Sequence, residues 1–335
     1  MKRIISLLLA LALTLSLTAC TAPAEKADDG KLQIVTTLFP YYDFARAIAQ
    51  DRADVTLLLS PGREAHSFEP TPLDAVTISE SDVFLYNGGE GEYWVDSMLD
   101  AAGENIAVIA RMMDYVDALD EEYVEGMQGA DGHDHDHEHG SHDDHGHDHE
   151  EDEHDSDEVE YDEHIWTSPK NAVVLCRAVC DAICRADAEN AAFYRANCEN
   201  YCAQLEDLDA RFSALCESAP RRLLIFADRF PMLYFCREYG LDYRAAFHGC
   251  SGDTEPSLAT IKFLIDKVED ENIPVVYTID FGTKKVAAVV SECTGAAIET
   301  LYSMQTVSRA DFDAGETYLT LMERNFEALR KGLNA

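Results

Sequence analysis

Along most of the chain, short apolar runs alternate with segments of helical period. Residues 32–37 (Leu-Gln-Ile-Val-Thr-Thr) predict a short buried strand, 41–53 a helix and 55–59 a second strand that Ser60-Pro61-Gly62 ends. A helix over 72–79, a strand over 82–87 closed by Gly88-Gly89, a helix through Trp94 and Met98 and a strand over 106–109 follow. Ser168-Pro169 opens a helix reaching about 186, with an N-cap residue followed by proline at the first helical position. From Asp187 a second helix carries Tyr194, Cys198, Tyr201, Leu205, Leu208, Phe212 and Leu215 at alternating steps of four and three, a sustained one-face stripe. At 1.5 Å per residue it spans roughly 40 Å, enough to brace two lobes. A second alternating series begins at Arg222: strand 222–226, helix 231–239, strand 243–247, helix 258–268, strand 274–279, helix 284–294 and a last helix over 315–331.

Strands alternating with helices argue for parallel sheets covered on both faces. The expected fold class is α/β, with two similar lobes joined by one long rigid helix and a ligand cleft between them. The lobes run over 32–186 and 218–335, with the linking helix over 187–217. In such sheets ligands sit at the carboxyl ends of the strands.

Two stretches depart from this pattern. At the start, Lys2 and Arg3 precede an apolar run over 4–19 that ends in Leu17-Thr18-Ala19-Cys20. The run is shorter than the ~20 residues of a membrane span and ends in small residues, as a secretory segment does. Leu-Thr-Ala-Cys is similar to the lipobox of bacterial lipoproteins, which implies a signal peptide over 1–19, acylation of Cys20 and a flexible tether over 20–31.

The second departure is an insertion over about 118–160. Nine of the chain's 12 histidines fall in it (His133, His135, His137, His139, His142, His145, His147, His149 and His154), and 17 Asp and Glu lie between Asp131 and Glu163. No Lys or Arg occurs between Met112 and Pro169. Such a run buries no apolar surface and repels itself, so it reads as a disordered loop. A plain solvated linker needs acid but not histidine at every second position. Imidazole binds Zn(II), Cu(II) and Ni(II), and carboxylates add oxygen donors, so the tract reads as metal-attracting. The net charge of −38 makes nucleic acid a poor partner and cations good ones.

Outside the tract only His66, His164 and His248 remain. His66 follows a predicted strand, His164 precedes the helix leaving the first lobe, and His248 ends a strand of the second, so neither lobe alone supplies all three. Zinc favours four tetrahedral ligands. Asp280 and Asp228, each after a predicted strand, are the acids best placed to complete the shell. No C-x-x-C pair occurs among the nine cysteines after Cys20, which argues against a thiolate zinc knuckle. Their helical spacing suits buried small residues and leaves room for one or two disulfides between helices.

Two segments carry a family resemblance. Pro61-Gly62-Arg63-Glu64-Ala65-His66-Ser67-Phe68-Glu69-Pro70 and Asp162-Glu163-His164-Ile165-Trp166-Thr167-Ser168-Pro169 resemble the first and second metal-ligand loops of the zinc and manganese solute-binding lipoproteins of bacterial ABC transporters. The His-rich insertion, Gly249-Cys250-Ser251 to Glu255-Pro256-Ser257, and Gly315-Glu316-Thr317-Tyr318 also fit. The resemblance implies cleft binding of Zn2+, with Mn2+ as the alternative, by a lipid-anchored extracytoplasmic protein that delivers it to a permease. A monomer is expected. The departure lies in the second lobe, where the family's third histidine position reads Ala227-Asp228-Arg229-Phe230-Pro231. Asp228, His248 or water could take that place, and more carboxylate would shift preference toward manganese.

Two other functions compete. A metal-dependent hydrolase needs an open coordination position and a nearby base, for which Glu64 or Glu163 could serve. There is no His-Glu-x-x-His helix and no nucleophile elbow. A buffering lipoprotein would use the tract alone, leaving two folded lobes without purpose.

Overall fold

The computed structural model describes residues 30–63, 68–127, 160–249 and 255–334. Cys20, His66 and all nine tract histidines lie outside the described residues.

Two four-stranded parallel sheets form the frame. The first contains β1 (Leu32–Thr36), β2 (Ala53–Leu57), β3 (Val83–Tyr86) and β4 (Val108–Arg111) in the order β2-β1-β3-β4. The second contains β5 (Leu223–Phe230), β6 (Asp242–His248), β7 (Val275–Ile279) and β8 (Ala297–Leu301) in the order β6-β5-β7-β8. All paired strands run parallel. The winding direction reverses beside β1 in one sheet and beside β5 in the other. Those reversal points open crevices outside the carboxyl ends of β1/β3 and β5/β7, where open α/β sheets bind ligands.

The helices are α1 (Phe39–Ala49), α2 (Pro72–Ser79), α3 (Trp94–Ala102), α4 (Pro169–Ala186), α5 (Ala191–Ser218), α6 (Leu233–Tyr239), α7 (Leu258–Asp270), α8 (Lys285–Thr294), α9 (Arg309–Ala314) and α10 (Tyr318–Asn334). At 28 residues, α5 is about 42 Å long. Its predicted stripe is the buried face: Tyr194, Cys198, Tyr201, Leu205, Leu208, Phe212 and Leu215 are all buried. One apolar core runs through both sheets and these helices, and a smaller one fills the far side of the second sheet around Ile225, Val276 and Val290. A buried carboxylate ties three helices together inside the main core. Asp43 of α1 accepts from Tyr201 Oη of α5 at 2.6 Å and from the Tyr318 amide of α10 at 2.9 Å.

Several elements differ from the sequence reading. The helix read over 41–53 is α1, which ends at Ala49, and β2 starts at Ala53. β4 lies two residues later than predicted. β5 continues to Phe230 through an irregularity between Phe226 and Arg229, so Phe230 pairs with His248. β8 escaped prediction because it is an edge strand whose residues 297–300 are exposed or half-buried, leaving no apolar run. The last helix, expected over 315–331, is α10 and begins at Tyr318; the short α9 before it was not predicted and ends at Gly315, at φ +77°. Residues 118–127, counted with the disordered insertion, are packed. Met127 is buried, Gly126 lies against the Phe263 ring of α7, and Glu121 N donates to the Glu160 carbonyl at 2.8 Å. All eight described cysteines after Cys20 are free thiols, so none of the inter-helix disulfides allowed by sequence is formed among them.

Candidate metal centre

The segment 162–168 is the centre of the site. It is held from both sheets. Asn87, just past β3, donates through Nδ2 to the Glu163 carbonyl at 3.0 Å. Tyr234 Oη donates to the Asp162 carbonyl at 2.8 Å, and Tyr318 Oη to the Trp166 carbonyl at 2.7 Å. Trp166 Nε1 donates to the Ser303 carbonyl at 2.7 Å. A short antiparallel stem, the Asp120–Tyr161 bridge with Asp162 N donating to the Leu119 carbonyl at 2.9 Å, brings in the two ends of the insertion.

His164 is 1 % exposed. One oxygen of Asp162 receives its backbone N–H at 2.7 Å and faces its Nδ1 at 3.1 Å. A carboxylate in that place holds the proton on Nδ1 and puts the acceptor lone pair on Nε2, as in carboxylate–histidine–metal arrangements. Burial lowers the imidazole pKa, but the charges of Asp162, Glu121 and Glu163 overcome it and raise the value above that of an ordinary histidine. A cation is therefore favoured at this point. Gly249 also lies against the ring. A Cβ there would stand 3.0 Å from His164 Cε1 and 2.9 Å from the Phe230 carbonyl, so the close approach requires glycine.

His248, at the end of β6, has Nδ1 3.4 Å from Glu121 Oε1, and its ring lies 5.0 Å from that of Tyr123. The same Glu121 oxygen accepts the Gly249 amide at 2.9 Å. Burial alone would raise the Glu121 carboxyl, but His248, His164 and the Gly249 amide hold it below the ordinary value. Glu121 therefore links the two histidines. Beside them Glu90, Glu121, Glu160, Glu163, Tyr161 and His248 line an acidic cavity of about 230 Å³.

The other sequence-derived candidates sit differently. Asp228 Oδ1 accepts the Arg229 amide at 2.9 Å, and its Oδ2 accepts the Ile279 amide at 3.3 Å and packs on Gly282. Asp280 accepts the Ser303 amide at 3.1 Å and lines a separate cavity with Lys284 and Asp311. The cavity that His164 lines is formed by Arg229, Pro231, Gly249, Ile279, Phe281 and neighbours, with neither Asp228 nor Asp280 in its wall. Strand-end acids look like ligands in sequence, but strand ends also expose backbone amides, and here the carboxylates bind those. Glu163, a candidate base for hydrolysis, accepts the Gly91 amide at 2.8 Å. The loop bearing His66 is described only at its ends, where Phe68 packs on Trp94 at 5.2 Å and lines a small cavity with Glu92, Glu163 and Gln305. Glu121, which faces both histidines, was not among the sequence-derived candidates. Glu121 was submerged in the acidic run, though its place before the apolar Tyr123-Val124 pair marks the margin of that run.

The donors gathered here are imidazole nitrogen and carboxylate oxygen, which fit a borderline divalent cation such as zinc. Among the described residues no helix is long and apolar enough to cross a membrane.

The family model described as zinc-uptake complex component A, periplasmic, matches residues 34–332. The chain is 32% identical over 303 residues to the high-affinity zinc uptake system protein ZnuA of Bacillus subtilis, covering 90% of this chain and 88% of that protein. It is 30% identical over 333 residues to the zinc-binding lipoprotein AdcA of Streptococcus pneumoniae, covering 99% of this chain but 61% of the relative. Among solved structures, the metal-dependent lipoprotein YcdH of Bacillus subtilis superposes with TM-score 0.72 at 29% identity, over 90% of this chain and 100% of the other. The Zn(II)-bound ZnuA-like domain of Streptococcus pneumoniae AdcA gives 0.71 at 25%, over 91% and 100%.

Proposed function

Because the chain belongs to the ZnuA family of zinc-uptake complex components, we propose that it captures Zn2+ outside the cytoplasm and hands it to an ABC importer permease, as a monomer and without catalysing a reaction. The observation that carries this reading is His164, buried, aligned by Asp162 and raised in pKa by three surrounding carboxylates. The ligand set we assign is His66 and His164, with His248 reaching in from β6 and Glu121 from the stem. Asp228 and Asp280 serve mainly to hold the ends of β5 and β7. Cys20 carries the lipid that keeps the protein at the membrane; cells fed labelled palmitate are expected to label the wild type and not Cys20→Ser, and an unlabelled wild type would refute the anchor.

The tract has many alternating donors and acts as a weak, exchanging collector beside the tight site. Deleting residues 131–155 is expected to remove the weak metals and leave one tight zinc per chain, read by titration against a chromophoric chelator. Loss of the tight zinc with the tract would make a tract histidine a ligand and favour the buffering function instead.

The assignment within the second lobe is tested by single variants in the tract-deleted protein. His248→Ala and Glu121→Gln are each expected to weaken zinc by ~10–100-fold, the range for groups that hold or orient a ligand. Asp228→Ala and Asp280→Ala are expected to change it by less than ~10-fold. The reverse ranking would give the site to the two aspartates.

A further inference from the structure

The second cluster of metal-binding side chains lies away from the cleft, inside the hairpin of α4 and α5. Cys176 on α4 and Cys198 and Cys202 on α5 are all buried, and their three sulfurs lie within 4.8 Å of one another. Cys198 Sγ and Cys202 Sγ are 3.8 Å apart. Sulfurs bound to one ion at a Zn–S length of about 2.3 Å stand roughly 3.8–4.0 Å from each other, so the triangle needs only a small contraction. The sulfurs otherwise make long contacts, Cys198 to the Cys176 carbonyl at 3.8 Å and Cys202 to the Val173 carbonyl at 3.9 Å.

Helix packing alone does not require sulfur here. Other buried positions of α4 are filled by Ala172, Ala178 and Ala182, where small residues suffice. The cluster contains neither imidazole nor carboxylate, and an all-sulfur donor set selects soft ions. Charge narrows the choice further. Three thiolates leave −1 around a divalent ion and −2 around a monovalent one. The only cation shown acting on both Cys198 and Cys202 among the described residues is Arg177, which offsets a single charge.

We propose that Cys176, Cys198 and Cys202 form a second metal site, separate from the cleft, that binds one divalent d10 cation such as zinc or cadmium through three thiolates. Binding releases three protons, M2+ + 3 RSH giving M(SR)3− + 3 H+, with no change of oxidation state. The thiol of Cys180, 3.9 Å from that of Cys184, lies outside the three-sulfur group. Because the sulfurs are buried, loading goes through opening of the hairpin or through folding around the ion.

The test is to refold the full-length chain under reductant with Cd(II) and record the near-ultraviolet sulfur-to-cadmium charge-transfer band. Histidine and carboxylate sites give no such band, so the readout is independent of the cleft and the tract. With cadmium in excess over the cleft and tract sites, the band is expected to level off at the amplitude of one cadmium thiolate site per chain. The band should persist in His164→Ala and disappear in Cys198→Ala and Cys202→Ala, whose folding is checked by circular dichroism. No band in the folded wild-type protein would overturn the site. So would a disulfide among these cysteines in the protein as isolated, found by mass, since it would consume the donors.

Discussion

Replacing His164 with Ala is expected to weaken zinc binding by at least ~100-fold, about 3 kcal/mol, while leaving the fold intact. The loss follows from the ring's position as the buried imidazole on which Asp162, Glu121 and Glu163 converge. The fold should survive because the loop is fastened by main-chain and neighbouring groups. Asn87, Tyr234, Tyr318 and Ser303 bind its carbonyls or Trp166. Asp162→Asn should cost less, ~10–100-fold, because it removes the group that orients the ring and not the ligand. Both belong in the tract-deleted protein, where weak sites do not mask the tight one. Affinity within ~3-fold of wild type for His164→Ala would remove this residue from the site.

The second large effect concerns stability and its pH dependence. Glu92 is buried beside Thr37, Asn87 and Glu163. Its Oε2 accepts the Gly88 amide at 2.8 Å, and its Oε1 has no hydrogen-bond partner among the described residues. Burial, with some help from Glu163, pushes the carboxyl from 4.5 up to about 7. A folded-state value above the unfolded one means that the unfolded chain gives up this proton first. Stability from this group is therefore complete below about pH 4.5, falls as pH rises toward 7, and stays reduced above it. At ~1.4 kcal/mol per pKa unit the loss is about 3 kcal/mol. Glu92→Gln keeps the shape and cannot ionise. In metal-free protein it should raise the urea-unfolding free energy by about 3 kcal/mol at pH 8 and by less than ~1 kcal/mol near pH 4.5. Parallel stability–pH curves for the two proteins would show that Glu92 does not titrate as its burial implies.

What the sequence revealed and what it hid divide along a physical line. Buried parallel strands and long amphipathic helices carry period and apolarity, so β1, β3, β7 and α5 were legible. Edge strand β8 has mixed burial and was not. The site divided in the same way. His164 stood out because a histidine between an acidic run and an apolar helix is conspicuous. Glu121 did not, because one acid among many carries no local mark, and only the pairing of Asp120 with Tyr161 brings it to the two histidines. Asp228 and Asp280 show what sequence cannot display. Asp280 follows β7 as read, Asp228 lies inside β5 at its irregularity, and composition does not show the backbone amides that both carboxylates accept.

The fastening of segment 162–168 from both sheets has a consequence for energetics of transfer. On the proposed ligand assignment, a loop already in place spends little ordering free energy when the ion arrives, which favours tight binding. The difficulty shifts to unloading. A cradle cross-braced by Asn87, Tyr234, Ser303 and Tyr318 does not fall open by thermal fluctuation of a single hinge. Discharge then requires the receiving machinery to do work on the scaffold, prying apart contacts that span both halves. The rate of delivery is accordingly a property of the docked assembly and not of the carrier by itself.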